Sequence, residues 1–407
     1  MNEQLTRREA LVTALAATAL GGGALLRPSA AHAAPATARI GVILPLSDKA
    51  LKADAMAGNN ILKTAQLWRD WINGRGGVDG QKVELKVYDD QADSSIGARA
   101  VKSAISKDHC SVILAGWNSP VVLAEIELAH KLRTPYFVAY AWASDITSAG
   151  YPEVVRIGPN NDQLANAFAP FMKARGYRRV GIVAEDTAFG QGLGETIRAA
   201  ATSSGLSVGA ATYKRDTHDV RPQLRRLLRD KPDAIVVAGY IPPALTLAIT
   251  QARELGYKGD IILGWDYVDD AFWKATGKKG TGVIWPTFSA PSLHLTSAGL
   301  TFKHAYQKRY KHTPLIYQAF AWDELNAWKW AVDTAGSITP ADVVAALPHI
   351  DMQGTMGRIT LSNVPGTVHF NQWDGVTIYF DQASKKDATD ADAKVLASVK
   401  GTVVKMY

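Results

Sequence analysis

Short apolar runs alternate with longer amphipathic segments through the first part of the chain. The apolar runs, which predict β-strands, are residues 39–46, 82–88, 110–115 and 134–139. The amphipathic segments, which predict helices, are residues 58–73, 95–107 and 120–132. Such alternation predicts a parallel sheet covered by helices, and the nearly continuous apolar runs predict strands buried on both faces.

A second series of the same kind follows residues 156–159. Its predicted strands are residues 179–185, 207–214, 233–238 and 260–263. Its predicted helices are residues 162–175, 190–203, 219–229 and 242–255. Two sheets in succession predict an α/β protein with two Rossmann-like lobes, each a mostly parallel sheet flanked by helices.

Composition agrees with a globular chain of about two domains. Of the 407 residues, 47% are hydrophobic and 20% are charged, and the formal net charge is +7. The basic residues are scattered among acidic ones, and the densest stretch, residues 221–231, has the pattern of a solvated helix face. We therefore expect no nucleic-acid partner.

Residues 1–33 have the pattern of an export signal. Arg7 and Arg8 precede an apolar stretch over residues 11–26, and the small-x-small sequence Ala31-His32-Ala33 follows. The paired arginines favour the twin-arginine route, and an ordinary secretory signal is the alternative. The single cysteine, Cys110, lies far from the predicted cleavage region, so it cannot be a lipid-anchored N-terminal residue. We expect a soluble periplasmic protein with Cys110 buried.

Polar and aromatic residues follow the predicted strands, at the edge where open parallel sheets bind ligands. After the third strand, Ser119 and Pro120 predict a helix start with serine as the N-cap, which would present free backbone N–H groups to an anion. Simple capping without a ligand is the alternative. Other strand ends carry Tyr140, Ala141, Trp142, Phe189, Tyr240, Trp265, Asp266 and Tyr267. Any one aromatic among them is explained by packing, but their joint placement at strand ends favours a binding site.

Sequence signals for catalysis are poor. The chain has no His-Glu-x-x-His, no Gly-x-Ser-x-Gly and no phosphate-binding glycine-rich loop. Gly190-Gln191-Gly192 begins like a dinucleotide fingerprint, but Glu195 holds the third glycine position, and we interpret the segment as a helix start. The histidines lack metal-ligand spacing. We expect no enzyme activity, no catalytic residue, no metal and no cofactor.

The chain resembles the periplasmic leucine/isoleucine/valine-binding family, whose members are type I solute-binding proteins of ABC transporters. The resemblance covers about residues 39–380, and its markers, in order, are residues 40–42, 73–78, 88–90, 189–192 and 356–359. It implies two lobes joined by a three-strand hinge, closure around a solute, and delivery to the membrane permease of an ABC importer. The implied divisions are lobe 1 at 38–158 plus 288–355, lobe 2 at 159–287 plus 356–381, and a loosely held tail at 382–407.

The resemblance also implies roles for individual residues. Ser119 matches the serine that holds the ligand carboxylate, Tyr240 a tyrosine near the amino group, and Asp266 an acidic partner for the ammonium. Phe189 matches an aromatic residue of the cleft. Trp142 departs from the family pattern, because amino-acid binders usually have threonine there.

The hypothesis is therefore a monomeric solute-binding protein with an aromatic pocket. The predicted ligand contacts are Trp117, Asn118, Ser119, Tyr140, Ala141, Trp142, Phe189, Tyr240, Trp265 and Asp266. The ligand is a small amino-acid-like or aromatic carboxylate; an aliphatic amino acid or a cation held against the rings stays open. The alternative function is a ligand-sensing receptor module with the same fold.

Overall fold

A computed structural model describes residues 37–407 except 48, 51, 240–243, 266–267, 269, 289–294 and 389–391. The export signal predicted for residues 1–33 lies outside the described residues, as do the predicted ligand contacts Tyr240 and Asp266 and the neighbouring Tyr267. Within the described part of the chain, no helix combines the length and the apolar character needed to cross a bilayer.

The first sheet is wholly parallel. Its strands are β1 (Thr37–Leu44), β2 (Lys82–Asp89), β3 (Val112–Ala115), β4 (Tyr136–Val138) and β5 (Val154–Val155). The helices between and after them are α1 (Lys52–Asn73), α2 (Ser94–Ser106), α3 (Ser119–Lys131) and α4 (Asp145–Ser148). The spatial order is β2-β1-β3-β4-β5. Strands β3 and β4 are buried throughout, as their continuous apolar sequences predict.

Helix α1 begins at Lys52, earlier than the predicted start at Gly58. A glycine at the edge of an amphipathic segment suggests a helix boundary. Gly58 instead lies inside α1, where the helix closely approaches the backbone of Pro45. A Cβ atom at Gly58 would lie 2.1 Å from the carbonyl oxygen of Pro45. The glycine therefore lets α1 pack against the chain that leaves β1, and the first turn brings Asp54 to the carboxyl edge of the sheet.

The second sheet begins with five further strands. These are β6 (Arg179–Glu185), β7 (Ser207–Tyr213), β8 (Ala234–Ala238), β9 (Asp260–Leu263) and β10 (Ile284–Thr287). Their helices are α5 (Asn161–Ala174), α6 (Ala188–Ser203), α7 (Arg221–Leu228), α8 (Ala244–Glu254) and α9 (Asp270–Thr276). These strands pair in parallel, in the order β10-β9-β8-β6-β7.

The chain then returns to the first sheet before it rejoins the second. The returning helices are α10 (Ser297–Tyr310), α11 (Ile316–Ala335) and α12 (Pro340–Ala346), and a small antiparallel sheet follows, made of β11 (Asp351–Gln353), β12 (Arg358–Asn363) and β13 (Phe370–Trp373). Helices α10 and α11 pack on α1, and β13 contacts β5.

The C-terminal segment completes the second sheet. Its strands are β14 (Ile378–Gln382), β15 (Lys394–Lys400) and β16 (Val403–Met406). Strand β14 pairs antiparallel with β10, and β15 and β16 extend that edge. The expectation of a loosely held tail at 382–407 is therefore wrong for β15 and β16. Lysines at both ends of β15 flank a short apolar centre, in which Leu396 and Ala397 are buried.

Three connections join the two sheets: between β5 and α5, between β10 and α10, and between β13 and β14. The first and third lie side by side, because the Arg156 N–H donates to the Asn371 carbonyl at 3.1 Å and the Trp373 N–H donates to the Arg156 carbonyl at 3.0 Å. We refer below to the first sheet with its helices as the first lobe and to the second sheet with its helices as the second lobe. This is the architecture of two α/β lobes on a three-strand hinge.

Candidate ligand-binding site

A tight turn after β3 carries the first group of candidate residues. Gly116 has a φ of 97°, and a Cβ there would lie 2.7 Å from Val122 Cγ2. An L side chain rarely adopts this φ, and at Gly116 it would also collide with α3. The glycine therefore turns the chain so that Trp117, Asn118 and Ser119 lie at the carboxyl edge of the sheet.

Ser119 joins two loops of the first lobe. The N-cap of α3 is Asn118, whose carbonyl accepts from the N–H groups of Val121 and Val122 at 3.0 Å. The prediction that Ser119 is the N-cap is therefore wrong by one residue. The Ser119 hydroxyl instead accepts from the backbone N–H of Ala143 at 3.2 Å, which ties the start of α3 to the loop after β4.

Asp54 fixes the residues before α3. It is fully buried in the first turn of α1, and its carboxylate accepts from Trp117 Nε1 at 3.1 Å and from Asn118 Nδ2 at 3.2 Å. Hydrogen bonds to a charged acceptor are stronger than those between neutral groups. Asp54 therefore sets the orientation of the Trp117 indole and the Asn118 amide at the cleft.

Arg156 supports the loop that carries Trp142. Its guanidinium is fully buried and donates to the carbonyls of Ala141 at 3.0 Å and Ala143 at 2.8 Å. It also donates to Gln372 Oε1 at 2.7 Å and to Thr147 Oγ1 at 2.9 Å. Burial lowers the pKa of Arg156 to about 9. The residue thus links the hinge to the backbone on both sides of Trp142.

Two carboxyl groups beneath the first-lobe loops, those of Asp90 and Glu125, are buried where a negative charge is unfavourable. Asp90 Oδ1 accepts from the Ala92 N–H at 2.7 Å, and burial, with the negative charges of Asp89 and Asp54, raises the pKa of Asp90 to about 7. Burial also raises the pKa of Glu125 well above its ordinary value. Ala92 lies at the cleft, so Asp90 positions part of its wall.

The second lobe presents the start of α6. Thr187 is the N-cap of this helix, and its hydroxyl accepts from the Gly190 N–H at 3.1 Å. A Cβ at Gly190 would lie 2.4 Å from the Glu185 carbonyl oxygen, so glycine permits the close approach of α6 to β6. Phe189 is thereby placed in the cleft, and its carbonyl accepts from Asn161 Nδ2 at 3.3 Å. The segment 190–192 lies inside α6, in its first turns.

An ion pair of the second lobe also reaches the cleft. Arg215, in the loop after β7, donates through Nε to Glu185 Oε1 at 2.8 Å. Glu185 is fully buried, whereas the Arg215 side chain is 33% exposed. This arginine was not predicted from the sequence, because it belongs to a charged run, Lys214-Arg215-Asp216, that is typical of a solvated loop.

Aromatic rings from the two lobes contact one another. Trp117 stacks on Tyr140, with centroids 5.3 Å apart and planes 15° apart. Across the cleft, Trp117 meets Trp265 edge to face at 6.1 Å. Trp142 meets Phe189 in the same way at 5.9 Å. Helix α11 and the chain after β10 supply three more rings to this cluster, those of Phe288, Tyr317 and Phe320.

A small cavity of about 70 Å³ lies among these residues. Its described lining consists of Ala92, Trp117, Asn118, Ser119, Pro120, Val121, Tyr140, Trp142, Thr187, Phe189, Arg215 and Trp265. The structure thus brings together seven of the predicted contacts on one cavity. Ala141 is buried but is not part of the described lining. A space of this size holds a few water molecules, so a larger ligand requires the lobes or the rings to move.

Two buried polar atoms of the cavity residues have no hydrogen-bond partner among the described residues. They are the indole Nε1 of Trp142 and the amide Oδ1 of Asn118. Trp142 is 2% exposed and Asn118 is 6% exposed. A buried polar group without a partner costs about 1–3 kcal/mol, so these atoms favour a bound molecule that offers an acceptor and a donor.

The residues that sequence reasoning missed support the cleft from below or from the other lobe. They include Asp54, Ala92, Arg156, Thr187 and Arg215. Only Thr187 carried a usable signal, since threonine directly before the helix start at Ala188 is a favoured N-cap. The side chains of Asp54, Arg156 and Arg215 contact other elements of the fold, and no local pattern identifies these contacts.

Two α/β lobes that meet at an aromatic cavity define the class of two-lobed binding proteins. The family model described as "Periplasmic binding protein" matches residues 37–372, and the chain belongs to that family.

Individual relatives agree with this family. The chain is 26% identical to Leu/Ile/Val-binding protein BraC3 of Rhizobium johnstonii over 313 residues, which cover 75% of this chain and 82% of that protein. It is also 26% identical to Leu/Ile/Val-binding protein homolog 8 of Brucella suis, over 60% of this chain and 61% of that protein.

Solved structures share the fold. A leucine-binding protein from Thermotoga maritima superposes with a TM-score of 0.78 at 21% identity, over 89% of this chain and 99% of that one. A solute-binding protein of an ABC transporter from Rhodopseudomonas palustris, in complex with 3,4-dihydroxybenzoic acid, gives a TM-score of 0.74 at 22% identity, over 90% of this chain and 98% of that one.

Proposed function

We propose that this chain is the periplasmic solute-binding component of an ABC importer and captures a small amino-acid-like or aromatic carboxylate between its lobes. The observation that carries the proposal is the shared cavity, lined by the start of α3 in one lobe and the start of α6 in the other. Relatives named for leucine, isoleucine and valine, and one complexed with 3,4-dihydroxybenzoic acid, support these two ligand classes.

The mechanism is hinge closure. When the lobes separate about the three connections, the contacts of Trp117 with Trp265 and of Trp142 with Phe189 are broken. A ligand that contacts both lobes stabilises only the closed arrangement and shifts the population toward it. The lobe division at 38–158 plus 288–355 and 159–287 plus 356–381 belongs to this proposal. So do export through residues 1–33 and action as a monomer beside a permease.

Aromatic walls suit a planar ligand. Rings prefer offset-stacked or edge-to-face contacts at centroid distances of about 4.5–7 Å. The Trp117–Tyr140 pair and the edge-to-face pairs around Trp142 offer both kinds of surface. The Ser119 hydroxyl and the first turn of α3 offer donors to the acidic end of such a ligand.

Thermal shift followed by calorimetry tests the proposal. The purified protein is screened with L-leucine, benzoate and 3,4-dihydroxybenzoate, since a ligand that binds only the folded state raises the melting temperature. We expect Ser119→Ala and Trp142→Phe to weaken the best ligand by about 10-fold, the equivalent of one hydrogen bond or ring contact. Mass spectrometry of the ligand released by denaturation should find it chemically unchanged.

Matched variants outside the cleft serve as controls. Ser95→Ala changes an exposed serine in the first turn of α2, and Trp71→Phe changes a ring that packs on Trp322 away from the cavity. Neither should alter the affinity. Unchanged affinity in Ser119→Ala and Trp142→Phe for every ligand found would refute the assigned site.

A further inference from the structure

The charge of the described cavity lining comes from one residue. Among the lining residues that the structure describes, Arg215 is the sole member of the set Asp, Glu, Lys and Arg. Its partner Glu185 lies behind the lining, fully buried at the end of β6. The guanidinium therefore stands between a buried carboxylate and the cleft.

The pair with Glu185 holds the arginine at the wall of the cavity. A guanidinium carries five N–H donors in a planar fork, and the Nε atom makes the 2.8 Å bond to Glu185 Oε1. The planar geometry of this fork matches that of a carboxylate, which is why arginine is favoured where carboxylates are recognised. The Arg215 side chain is 33% exposed and belongs to the described lining of the cavity.

Two helix starts add to the positive potential of the cleft. Helix α3, of 13 residues, begins at Ser119, and helix α6, of 16 residues, begins at Ala188. The two helices contact each other, and residues at both starts line the cavity. The N-terminus of a helix carries a partial positive charge of about half an elementary charge, which favours an anion.

We propose that Arg215 is the second-lobe contact for the acidic group of the ligand, which is shared with the Ser119 side of the cleft. The inference rests on the proposed function and narrows its ligand class to carboxylates, excluding cations held against the rings. A carboxylate between Ser119 and Arg215 engages both lobes at once. Arg215 then has two effects: it selects for an acidic ligand, and its contact with that ligand stabilises the closed arrangement of the lobes.

Calorimetry with acids and their uncharged amides tests this role. The probes are benzoate, 3,4-dihydroxybenzoate and L-leucine, each compared with its own amide, which keeps the shape and removes the carboxylate charge. We expect the tightest-binding acid to exceed its amide by at least about 10-fold in the wild type, the range of one charge-assisted hydrogen bond. In Arg215→Gln the acid should lose at least about 10-fold and the amide should change little.

Two further variants keep the test interpretable if Arg215→Gln is unstable. Removing the arginine leaves the buried Glu185 carboxylate without this partner, which is costly. The double variant Glu185→Gln/Arg215→Gln removes both charges and should show the same selective loss of the acid. Arg198→Gln, which removes an exposed arginine paired with Glu195 on α6, should leave every affinity unchanged.

The outcomes separate the two proposals. Loss of acid binding with retained amide binding in both Arg215 variants supports the role of Arg215. If an acid binds and the Arg215 variants bind it as the wild type does, or lose the acid and the amide equally, the role of Arg215 is wrong while the solute-binding function stands. If the wild type binds none of the three acids, both the proposed ligand class and the role of Arg215 are wrong.

Discussion

The buried carboxylate of Asp54 accepts a hydrogen bond of 3.1 Å from the indole N–H of Trp117. Trp117 in turn contacts Tyr140 in its own lobe and Trp265 in the other lobe. A residue in the first turn of α1 therefore fixes a ring that faces both lobes, although Asp54 is not part of the described cavity lining.

We expect Asp54→Asn to weaken ligand binding by about 10-fold, since the neutral amide offers one acceptor where the carboxylate accepts from two donors. Tryptophan fluorescence should also change, because the Trp117 indole loses a charged neighbour. Calorimetry and emission spectra check the two effects. Asp70→Asn, at an exposed aspartate on the same helix, is the control and should change neither. Wild-type affinity and emission in Asp54→Asn would show that Asp54 does not position Trp117.

Arg156 should contribute strongly to stability. The guanidinium is buried and joins the carbonyls of Ala141 and Ala143 to Gln372 on β13. Arg156→Met leaves these acceptors without their donor, and we expect the free energy of unfolding to fall by about 3–5 kcal/mol, as when one partner of a buried charged network is removed. Urea unfolding measures the change. Arg198→Met, at an exposed ion pair, should change it by less than about 1 kcal/mol. A loss as small as this in Arg156→Met would contradict the role of Arg156.

The sequence predicts those parts of the fold that depend on local pattern. Strands buried on both faces contain a continuous apolar run, so β3, β6 and β8 are recognised from the runs that contain Val112, Val180 and Ala234. Trp117 and Trp142 are recognised because they follow such runs.

Contacts between distant parts of the chain are not predictable in this way. Asp54 and Trp117 are 63 residues apart, and Arg156 and Gln372 are 216 residues apart. Nothing near either partner in the sequence indicates that they meet. Strand β15 was missed for a different reason: its end residues Lys394 and Lys400 stay exposed and make the segment resemble solvated surface, although the strand pairs with both β14 and β16.

Stability should fall as the pH rises toward 8, because buried carboxyl groups must ionise. Burial raises the pKa of Asp90 and of Asp323 to about 7 each, from ordinary values near 3.8. The folded state therefore holds these protons over a range in which the unfolded state has lost them. The stabilising contribution is complete below about pH 4 and is lost as the pH rises to about 7, with a slope of at most about 1.4 kcal/mol per pH unit for each group.

Asp90→Asn isolates one of these groups. The amide keeps an oxygen to accept from the Ala92 N–H and stays neutral beside Asp54, Asp89 and Glu125. We expect urea unfolding between pH 5 and 8 to show a shallower decline than in the wild type, with the rest of the slope due to the other buried carboxyl groups of raised pKa, those of Asp323, Glu125 and Glu324. An exposed control that titrates nothing, Ser95→Ala, should keep the wild-type slope. A wild-type slope in Asp90→Asn would mean that Asp90 is ionised throughout this range.

Two separate effects, backbone strain and a steric clash, should make Gly116 intolerant of any side chain. A comparison with Gly80 allows the two effects to be measured separately. Gly80 has a φ of 69°, but a Cβ there meets no atom within 4 Å, so Gly80→Ala incurs backbone strain alone. That strain costs about 1–2 kcal/mol. Gly116→Ala adds a contact of 2.7 Å with Val122 inside α3, and overpacking of this kind costs a further 1–3 kcal/mol or so. Because relief of the clash displaces the start of α3, Gly116→Ala should also weaken ligand binding, whereas Gly80→Ala should not. Urea unfolding and calorimetry on both variants measure these effects. Equal losses of stability in the two variants, with ligand affinity intact, would show that the turn at Gly116 does not hold Trp117 and Ser119 in place.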